Sequence, residues 1–575
     1  LVSQGSEAGL AAALLRLATD PAERLRLGTA AVAKAATWDS TSITAQWLEI
    51  YERAVNRRSG SPAGRSTAVL GLRTASANPD QDVAPHGREG VGVTPEQARH
   101  QTLAAVVGVA EQVAADWFVL PPTGAQPDDP TTVVLPMSDR RPFLEALASA
   151  DLPTFVSVHD PDHRGWPSRR GIAGELVPVL LRGRSGRLLL EPWPRLNERG
   201  ALLGRGCGIA VEFWEAGPDG YLHSPGRAGF TTTVPRGAAT VPTRVHDVDV
   251  PTLPFAAEPT VYDVTFPVDA VYTWVDGTDP AWDAARAARL ADVQDATMTT
   301  RASSGRARYL DRGELRYSLR GLHLFAPWIR TIHVVTAGQV PPWLDVDHPH
   351  INVVDHRDIL PADALPTFNS HAIEAALHRI DGLAEHFVYL NDDFFVGAPV
   401  RPEAFFTPAG STAVFASSML VGLPGQDELP YARAAANNRR LLQGAFGANT
   451  LHTLQHAPYA HRVSVLREIA ERFSAEVEAT MRAPFRSASD VSMLSSLAQH
   501  YGLMTGSAHL GTADYAFVDL TEAVVRRRLK QLLDRERAGF CLGDSHDFAR
   551  DPEQVATMVT DFLETYFPIP GPWER

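Results

Sequence analysis

Residues 387–397 read Phe387-Val-Tyr-Leu-Asn-Asp392-Asp393-Phe-Phe-Val-Gly397. An apolar run long enough for one buried strand stops at two adjacent carboxylates. Two like charges side by side are costly to bury unless a cation or a hydrogen-bond network offsets them. Oxygen ligands at the carboxyl end of a strand suit Mg²⁺ or Mn²⁺, and such a metal is usually shared with substrate phosphates. An Asn-Asp turn closing a strand would use the same residues without any chemistry. The pattern around the pair decides between the two.

From Val268 the chain alternates strand and helix. Asp269-Ala-Val-Tyr-Thr-Trp-Val, Thr331-Ile-His-Val-Val-Thr-Ala-Gly and Ile351-Asn-Val-Val-Asp-His read as strands flanking the one that ends at Asp392. Residues 311–326 read as a helix: Asp311 stands three before Glu314 in capping-box spacing, and Leu315, Leu319 and Leu322 form one stripe. Asn369 or Ser370 caps a further helix. This is a doubly wound, Rossmann-like α/β pattern, in which ligands sit at strand carboxyl ends. The polar groups there are Asp276, Thr336, Gln339, His356, Asp392 and Asp393. No GxGxxG or Walker loop is present.

Outside this region the texture changes. Residues 7–56 read as helices, and their sequence is similar to the last helices of a two-domain (GT-B) glycosyltransferase, though a generic helical hairpin would read the same way. Because the chain begins at Leu1 rather than Met, an upstream portion is expected. Residues 57–95 are rich in Ser, Gly, Pro, Asn and Asp and read as a linker. Residues 96–117 read as a helix. Over about 118–265, short runs such as TTVVLP, LVPVLL, RLLLEPW, GIAVEFW and FTTTVP alternate with turn residues, as in a β-rich or α+β accessory domain spanning 96–265.

The 575 residues, 44% hydrophobic, are ample for two or three domains. A net charge of −14 argues against non-specific nucleic-acid binding. Lys34 and Lys530 are the only lysines, so a cationic phosphate contact has to use Arg, which grips phosphate with two parallel hydrogen bonds. The two cysteines, Cys207 and Cys541, form no CxxC or disulfide framework, as in a cytosolic protein. No apolar run approaches about 18 residues, so any membrane contact would be peripheral, at the inner face.

Four blocks in order resemble the Stealth family of sugar-1-phosphate transferases, which includes bacterial capsular and exopolysaccharide phosphotransferases and the catalytic subunit of GlcNAc-1-phosphotransferase. The first is Asp269 to Pro280. The second runs from Arg312-Gly-Glu-Leu-Arg316 through Thr336-Ala-Gly-Gln339 and Asn369-Ser-His371-Ala-Ile-Glu374 to Tyr389-Leu-Asn-Asp-Asp393. The third comprises Asn437-Asn438, His456-Ala-Pro458 and Phe485-Arg486-Ser487 followed by Asp490. The fourth is Phe540-Cys-Leu-Gly543-Asp544, which departs from the family's usual Asn-Asp. The resemblance covers residues 266–575. It implies a GT-A-like catalytic domain that moves sugar-1-phosphate from a UDP-sugar such as UDP-GlcNAc to a hydroxyl of a saccharide, releasing UMP.

Such a reaction needs charge neutralisation on the pyrophosphate, a base for the acceptor hydroxyl and in-line alignment. Asp392, Asp393 and Asp544 are expected to hold Mg²⁺ or Mn²⁺; an ordinary helix cap would account for Asp544 equally well. Asp276 stands in a turn after a strand, and with the first block intact a nucleotide or metal role is expected. Arg316 and Arg320 share a helix face. Such arginines usually pair with a Glu, and Arg316 is the candidate to grip phosphate. Arg486 would meet the transferring phosphate while Asp490 orients a partner; a buried Arg–Asp pair is the plainer alternative. His456, held extended before Ala-Pro, is the candidate general base, and His371 its rival or a substrate contact. Thr336, Gln339, Asn369, Asn437, Asn438 and Trp274 are the candidate substrate contacts, though Asn-Asn also suits a helix start and Trp274 suits a core. A metal-dependent glycosyltransferase releasing UDP, and a glycan-binding protein without activity, are the competing readings.

Overall fold

A computed structural model describes residues 92–122, 130–153, 156–160, 170–171, 173–192, 207–226, 230–294, 309, 311–422, 429–535, 537–543 and 552–575. The helices expected over 7–56, nearly all of the linker, and Asp544 lie outside these residues.

The amino-terminal part opens with helix α1 (Pro95–Val113), whose Thr94 cap and Gln97 form a reciprocal capping box. Strands β1 (Phe118–Leu120), β2 (Thr131–Pro136), β3 (Val156–His159), β4 (Arg170–Gly171), β5 (Arg187–Pro192), β6 (Ile209–Ala216), β7 (Tyr221–His223) and β8 (Thr233–Pro235) make one mixed sheet in the order β1-β2-β6-β5-β3-β4, with β7 and β8 added at β6. Helices α2 (Arg140–Ser149) and α3 (Ala173–Leu180) pack on it with α1. A hairpin of β9 (Val241–Val245) and β10 (Val248–Thr252) follows. LVPVLL, read from sequence as a strand-like run, is helical. Ala173, Leu176, Val177 and Leu180 are the buried positions, which is i, i+3, i+4, i+7 spacing, and one apolar stripe against the core outweighs β-branching.

The second sheet carries the site. Strands β11 (Val268–Thr273), β12 (Ile329–Thr336), β13 (Ile351–Asp355) and β14 (His386–Asn391) are parallel, and β19 (Tyr459–Arg462) joins β14 antiparallel, giving the order β13-β12-β11-β14-β19. Alternate residues feed two cores. Ala270, Tyr272, Val334, Val388 and Leu390 pack with helices α5 (Glu314–Phe325) and α13 (Pro552–Tyr566). Val271, Val335, Phe387 and Tyr389 pack with α9 (Val463–Arg472), α10 (Ser474–Arg482) and α11 (Ala498–Thr505). With both faces covered, the strands can be apolar throughout, as Phe-Val-Tyr-Leu is. Around them lie helices α4 (Pro280–Gln294), α6 (His356–Ile359), α7 (Ser370–Glu374), α8 (Pro430–Phe446) and α12 (Val525–Leu532), the pairs β16 (Thr412–Val414) with β20 (Ala508–Leu510) and β17 (Ala416–Leu420) with β18 (His452–Leu454), and a small sheet in the order β15 (Phe394–Val396), β22 (Gly539–Gly543), β21 (Tyr515–Asp519).

The chain moves outward from β11 to β12 and β13 on one side, then returns to place β14 on the other. The strand order therefore reverses between β11 and β14, the point at which a doubly wound sheet has its ligand crevice, beyond the strands' carboxyl ends. The residues that follow those ends are Trp274–Asp279 and Asp392-Asp393. At the opposite end of β11, fully buried Asp269 accepts hydrogen bonds from Arg330 Nε and Nη2 (2.8 and 2.6 Å), His333 Nε2 (3.1 Å) and the Ala384 N–H (2.8 Å).

Helix α5 departs from its sequence reading. It starts at Glu314 behind Gly313, which has a left-handed φ of 83° that glycine adopts without strain. Asp311 accepts from the Gly313 N–H (2.7 Å), and Glu314 reaches back to the Arg312 N–H (2.5 Å), so no capping box forms between Asp311 and Glu314.

Candidate active site

Asp392 and Asp393 stand at the crevice on the tight turn between β14 and β15. The Asp392 carboxyl is pushed well above the usual carboxylate range by burial and by the charges of Asp393, Glu314 and Asp311. Glu314 is raised to about 7, chiefly by burial, with Arg312 opposing the rise. Asp311 is raised by burial and by Asp276, although its hydrogen bond from Gly313 opposes this. Five carboxylates from three segments are thus linked in series: Asp276 after β11 acts on Asp311, and Asp311 and Glu314, before and at the start of α5, act with Asp393 on Asp392 after β14. Converging hard oxygen donors whose charges repel are a fitting set for Mg²⁺ or Mn²⁺.

His456 enters from the loop before β19. It is exposed, and its Nδ1 lies 3.7 Å from Cys541 Sγ in the middle of β22. The ring also faces Phe517 of β21, with centroids 6.0 Å apart. That Phe517 ring explains the Gly543 departure: its Cζ lies 2.5 Å from where a Cβ at 543 would stand, so an aromatic ring fills the space of the missing side chain.

The loop after β11 is held by two predicted residues. Thr336 Oγ1 donates to the Gln339 carbonyl (2.8 Å). The Gln339 side chain accepts from the Asp276 N–H (3.1 Å) and donates to the Asp276 carbonyl and Asp279 Oδ2 (both 3.0 Å). Asp276 itself accepts from Thr278 N–H and Oγ1 (2.8 and 2.6 Å). Trp274 is buried behind them, beside Asp311.

A second group forms around Asp490, which is fully buried. It accepts from Asn369 Nδ2 (2.9 Å), the Ser487 N–H and Oγ (3.0 and 2.6 Å) and His371 Nδ1 (3.3 Å). Arg486 Nη2 donates to Ser370 Oγ (2.7 Å). Asn437 Nδ2 donates to the carbonyls of Ala488 and Asp490, and Asn438 Nδ2 to that of Ser492, each at 2.9 Å. The two asparagines therefore brace the backbone of 488–492 from within α8. This group is tied to the β11 loop by Tyr309, whose carbonyl accepts from Gly277 N–H and whose hydroxyl donates to Phe368, both at 2.9 Å. Trp282, Phe368 and Phe485 pack between them.

The structure thus gathers Asp276, Asp392, Asp393 and His456 at one crevice, and Asn369, His371, Arg486 and Asp490 in an adjoining wall. Arg316 is not drawn in. Its Nε pairs with Glu574 Oε2 at 2.6 Å, a carboxylate it shares with Arg320, so the Glu partner that such arginines usually find comes from the far end of the chain. Sequence reasoning missed Asp311 and Glu314, taken as a helix cap, although two acids on either side of Arg312-Gly313, at the start of the second block, were a signal. It also missed Cys541, which only pairing of β22 with β15 and β21 brings to His456. Buried Glu374 was missed too; its charge acts on Tyr389 and Tyr459 and it accepts from Ser495 Oγ (3.3 Å).

Comparison with known proteins places the chain in a family. Residues 266–294, 308–414, 455–503 and 530–575 match Stealth protein conserved regions 1, 2, 3 and 4 in order. Exopolysaccharide phosphotransferase SCO6021 of Streptomyces coelicolor is 38% identical over 91% of this chain and 97% of its own length. Exopolysaccharide phosphotransferase CpsY of Mycobacterium tuberculosis is 37% identical over 70% of this chain and 76% of its own. Among solved structures, the galactosyltransferase LgtC in complex with donor and acceptor sugar analogs aligns with 52% of this chain and 95% of its own at 13% identity and a TM-score of 0.29. With the conserved regions in order, their acids at one crevice and a relative matched over nearly its whole length, the chain belongs to the Stealth family of phosphotransferases.

Proposed function

We propose that the chain transfers sugar-1-phosphate, with GlcNAc-1-phosphate the first candidate, from a UDP-sugar to a hydroxyl of a sugar or polysaccharide acceptor, forming a phosphodiester and releasing UMP. The observation that carries this reading is the meeting of Asp393, next to Asp392 on the turn after β14, with the exposed His456. In this GT-A-like use of the sheet, the nucleotide lies over the loop that Thr336 and Gln339 hold against Asp276. Asp392 and Asp393, with Asp544 as the further acid implied by the family resemblance, would hold Mg²⁺ or Mn²⁺, which neutralises pyrophosphate charge.

His456 takes the acceptor hydroxyl proton at the nitrogen turned away from Cys541. The acceptor oxygen bonds to the sugar-bearing phosphorus as the bond from that phosphorus to the oxygen of UMP breaks. The anomeric bond is untouched, so its configuration survives. Arg486 meets charge on the transferring phosphoryl group, and Asp490 fixes Asn369 and His371 beside it. No role is assigned to Arg316. Among the described residues no helix is long and apolar enough to cross a membrane; cytoplasmic action, with peripheral contact at the inner face, is part of the proposal.

Incubation with UDP-GlcNAc, Mg²⁺ or Mn²⁺ and a panel of hexose acceptors, followed by nucleotide separation, tests it. UMP with a new phosphodiester is the expected result. UDP would identify a glycosyltransferase instead, and metal-dependent UDP-sugar binding without turnover would identify a binding protein.

A further inference from the structure

The donors nearest His456 are not all hard oxygens. Asp393, His456 and Cys541 each offer one ligand atom, and these atoms lie within 4.8 Å of one another. They come from three segments: the turn after β14, the loop before β19, and the middle of β22. Their relative positions are fixed by backbone pairing, since the Leu542 N–H donates to the Asp393 carbonyl (3.0 Å) and Cys541 is in register with both Phe394 and Phe517. Ligand bonds of about 2.0 Å to nitrogen and 2.3 Å to sulfur at a tetrahedral angle put N and S about 3.5 Å apart. The observed separation of His456 Nδ1 and Cys541 Sγ is 3.7 Å.

We infer that Asp393, His456 and Cys541 form a site for a thiophilic divalent cation, Zn²⁺ in particular, and that its occupation inhibits the enzyme. One nitrogen, one sulfur and one oxygen ligand, with a fourth position open to water, are a zinc donor set and a poor set for Mg²⁺. Binding forms a Zn–S bond and releases the Cys541 proton to solvent. It uses the imidazole and Asp393, both of which the transfer reaction needs. That inhibition rests on the reading of His456 as general base; the site itself does not.

The first experiment titrates Co²⁺, a spectroscopic stand-in for Zn²⁺, into the full chain freed of metal, in the presence of excess Mg²⁺. A thiolate-to-cobalt charge-transfer band in the near ultraviolet, with strong visible bands of a tetrahedral ion, is expected, and Zn²⁺ should abolish both. Cys541→Ser should lose the charge-transfer band. His456→Ala, at an exposed loop position that leaves the fold intact, should weaken Co²⁺ binding at least tenfold. A pale octahedral spectrum, or a charge-transfer band that survives in both variants, overturns the site and leaves the 3.7 Å contact as a weak S–H···N hydrogen bond. The second experiment adds Zn²⁺ to the nucleotide-release assay at fixed Mg²⁺. Inhibition relieved by Cys541→Ser supports the inference in full. A tetrahedral cobalt spectrum without zinc inhibition keeps the site and refutes the base role of His456.

Discussion

Replacing Asp269 by Asn separates scaffold from chemistry, because this acid belongs to a conserved region yet lies at the end of β11 away from the crevice. Burial alone would raise its carboxyl, but hydrogen bonds from His333, Arg330 and the Ala384 N–H outweigh that and hold it at about 2, against 3.8 for an ordinary Asp. A folded value below the unfolded one contributes stability that is present above pH 3.8 and is lost as pH falls towards about 2. At about 1.36 kcal/mol per pH unit the difference is worth about 2.5 kcal/mol at neutral pH. Asp269→Asn keeps the volume and loses the charge, so urea unfolding at pH 7 should show a loss of about 2–3 kcal/mol. The loss should stay constant between pH 8 and about 4.5, because Asp269 is charged in both states throughout that window. Nucleotide release per folded molecule should stay within about threefold, less than 1 kcal/mol of barrier. A variant as stable as the parent would refute the stability argument, and a large loss of activity in folded protein would refute the assignment of Asp269 to the scaffold.

At the crevice, His456→Ala and Asp392→Ala should each lower nucleotide release by about 10²–10⁴-fold with the melting temperature preserved, as expected for a lost base and a lost cation ligand. Removing the Asp490 carboxylate leaves the donors of Asn369, His371 and Ser487 without their acceptor. Asp490→Ala should therefore cost about 3–5 kcal/mol in chemical denaturation. Burial lowers His356 and His378 to about 4 and His461 to about 3. These groups stay neutral when folded but charge when unfolded, so stability is lost as pH falls below about 6.5, by about 2 kcal/mol for each at pH 5. Glu314 and Asp392, raised by burial, act in the opposite direction over this range, so the test is a difference: between pH 7.5 and 5, His461→Phe should lose about 2 kcal/mol less than the parent, and an equal loss would show that His461 is not held neutral.

Much of the second sheet was legible in the chain because its strands are buried on both faces and read as unbroken apolar runs. Phe-Val-Tyr-Leu ending in Asn-Asp-Asp marked both the strand and the place where chemistry begins, and the positions of β11 to β14 and the cap at Asn369 follow from local patterns. Periodicity gave no warning about LVPVLL, whose β-branched residues pointed one way and whose buried stripe pointed the other. The placement of Arg316 on Glu574 was also invisible, since the two are 258 residues apart.

What the sequence determined by itself is the class of the fold, the family and the inventory of acids and imidazoles that the chemistry requires, because these are set by short-range pattern and by which residue types are present. Only the tertiary structure decided how they are used. Strand order placed the ends of β11 and β14 side by side and so made one carboxylate cluster of Asp276, Asp311, Glu314, Asp392 and Asp393. Register in the small sheet set Cys541 against His456. Buried hydrogen bonding turned Asp490, Asn369 and His371 into a single wall. Electrostatic coupling and hydrogen bonding fall off over a few ångströms, so the role of each group depends on neighbours that are distant along the chain.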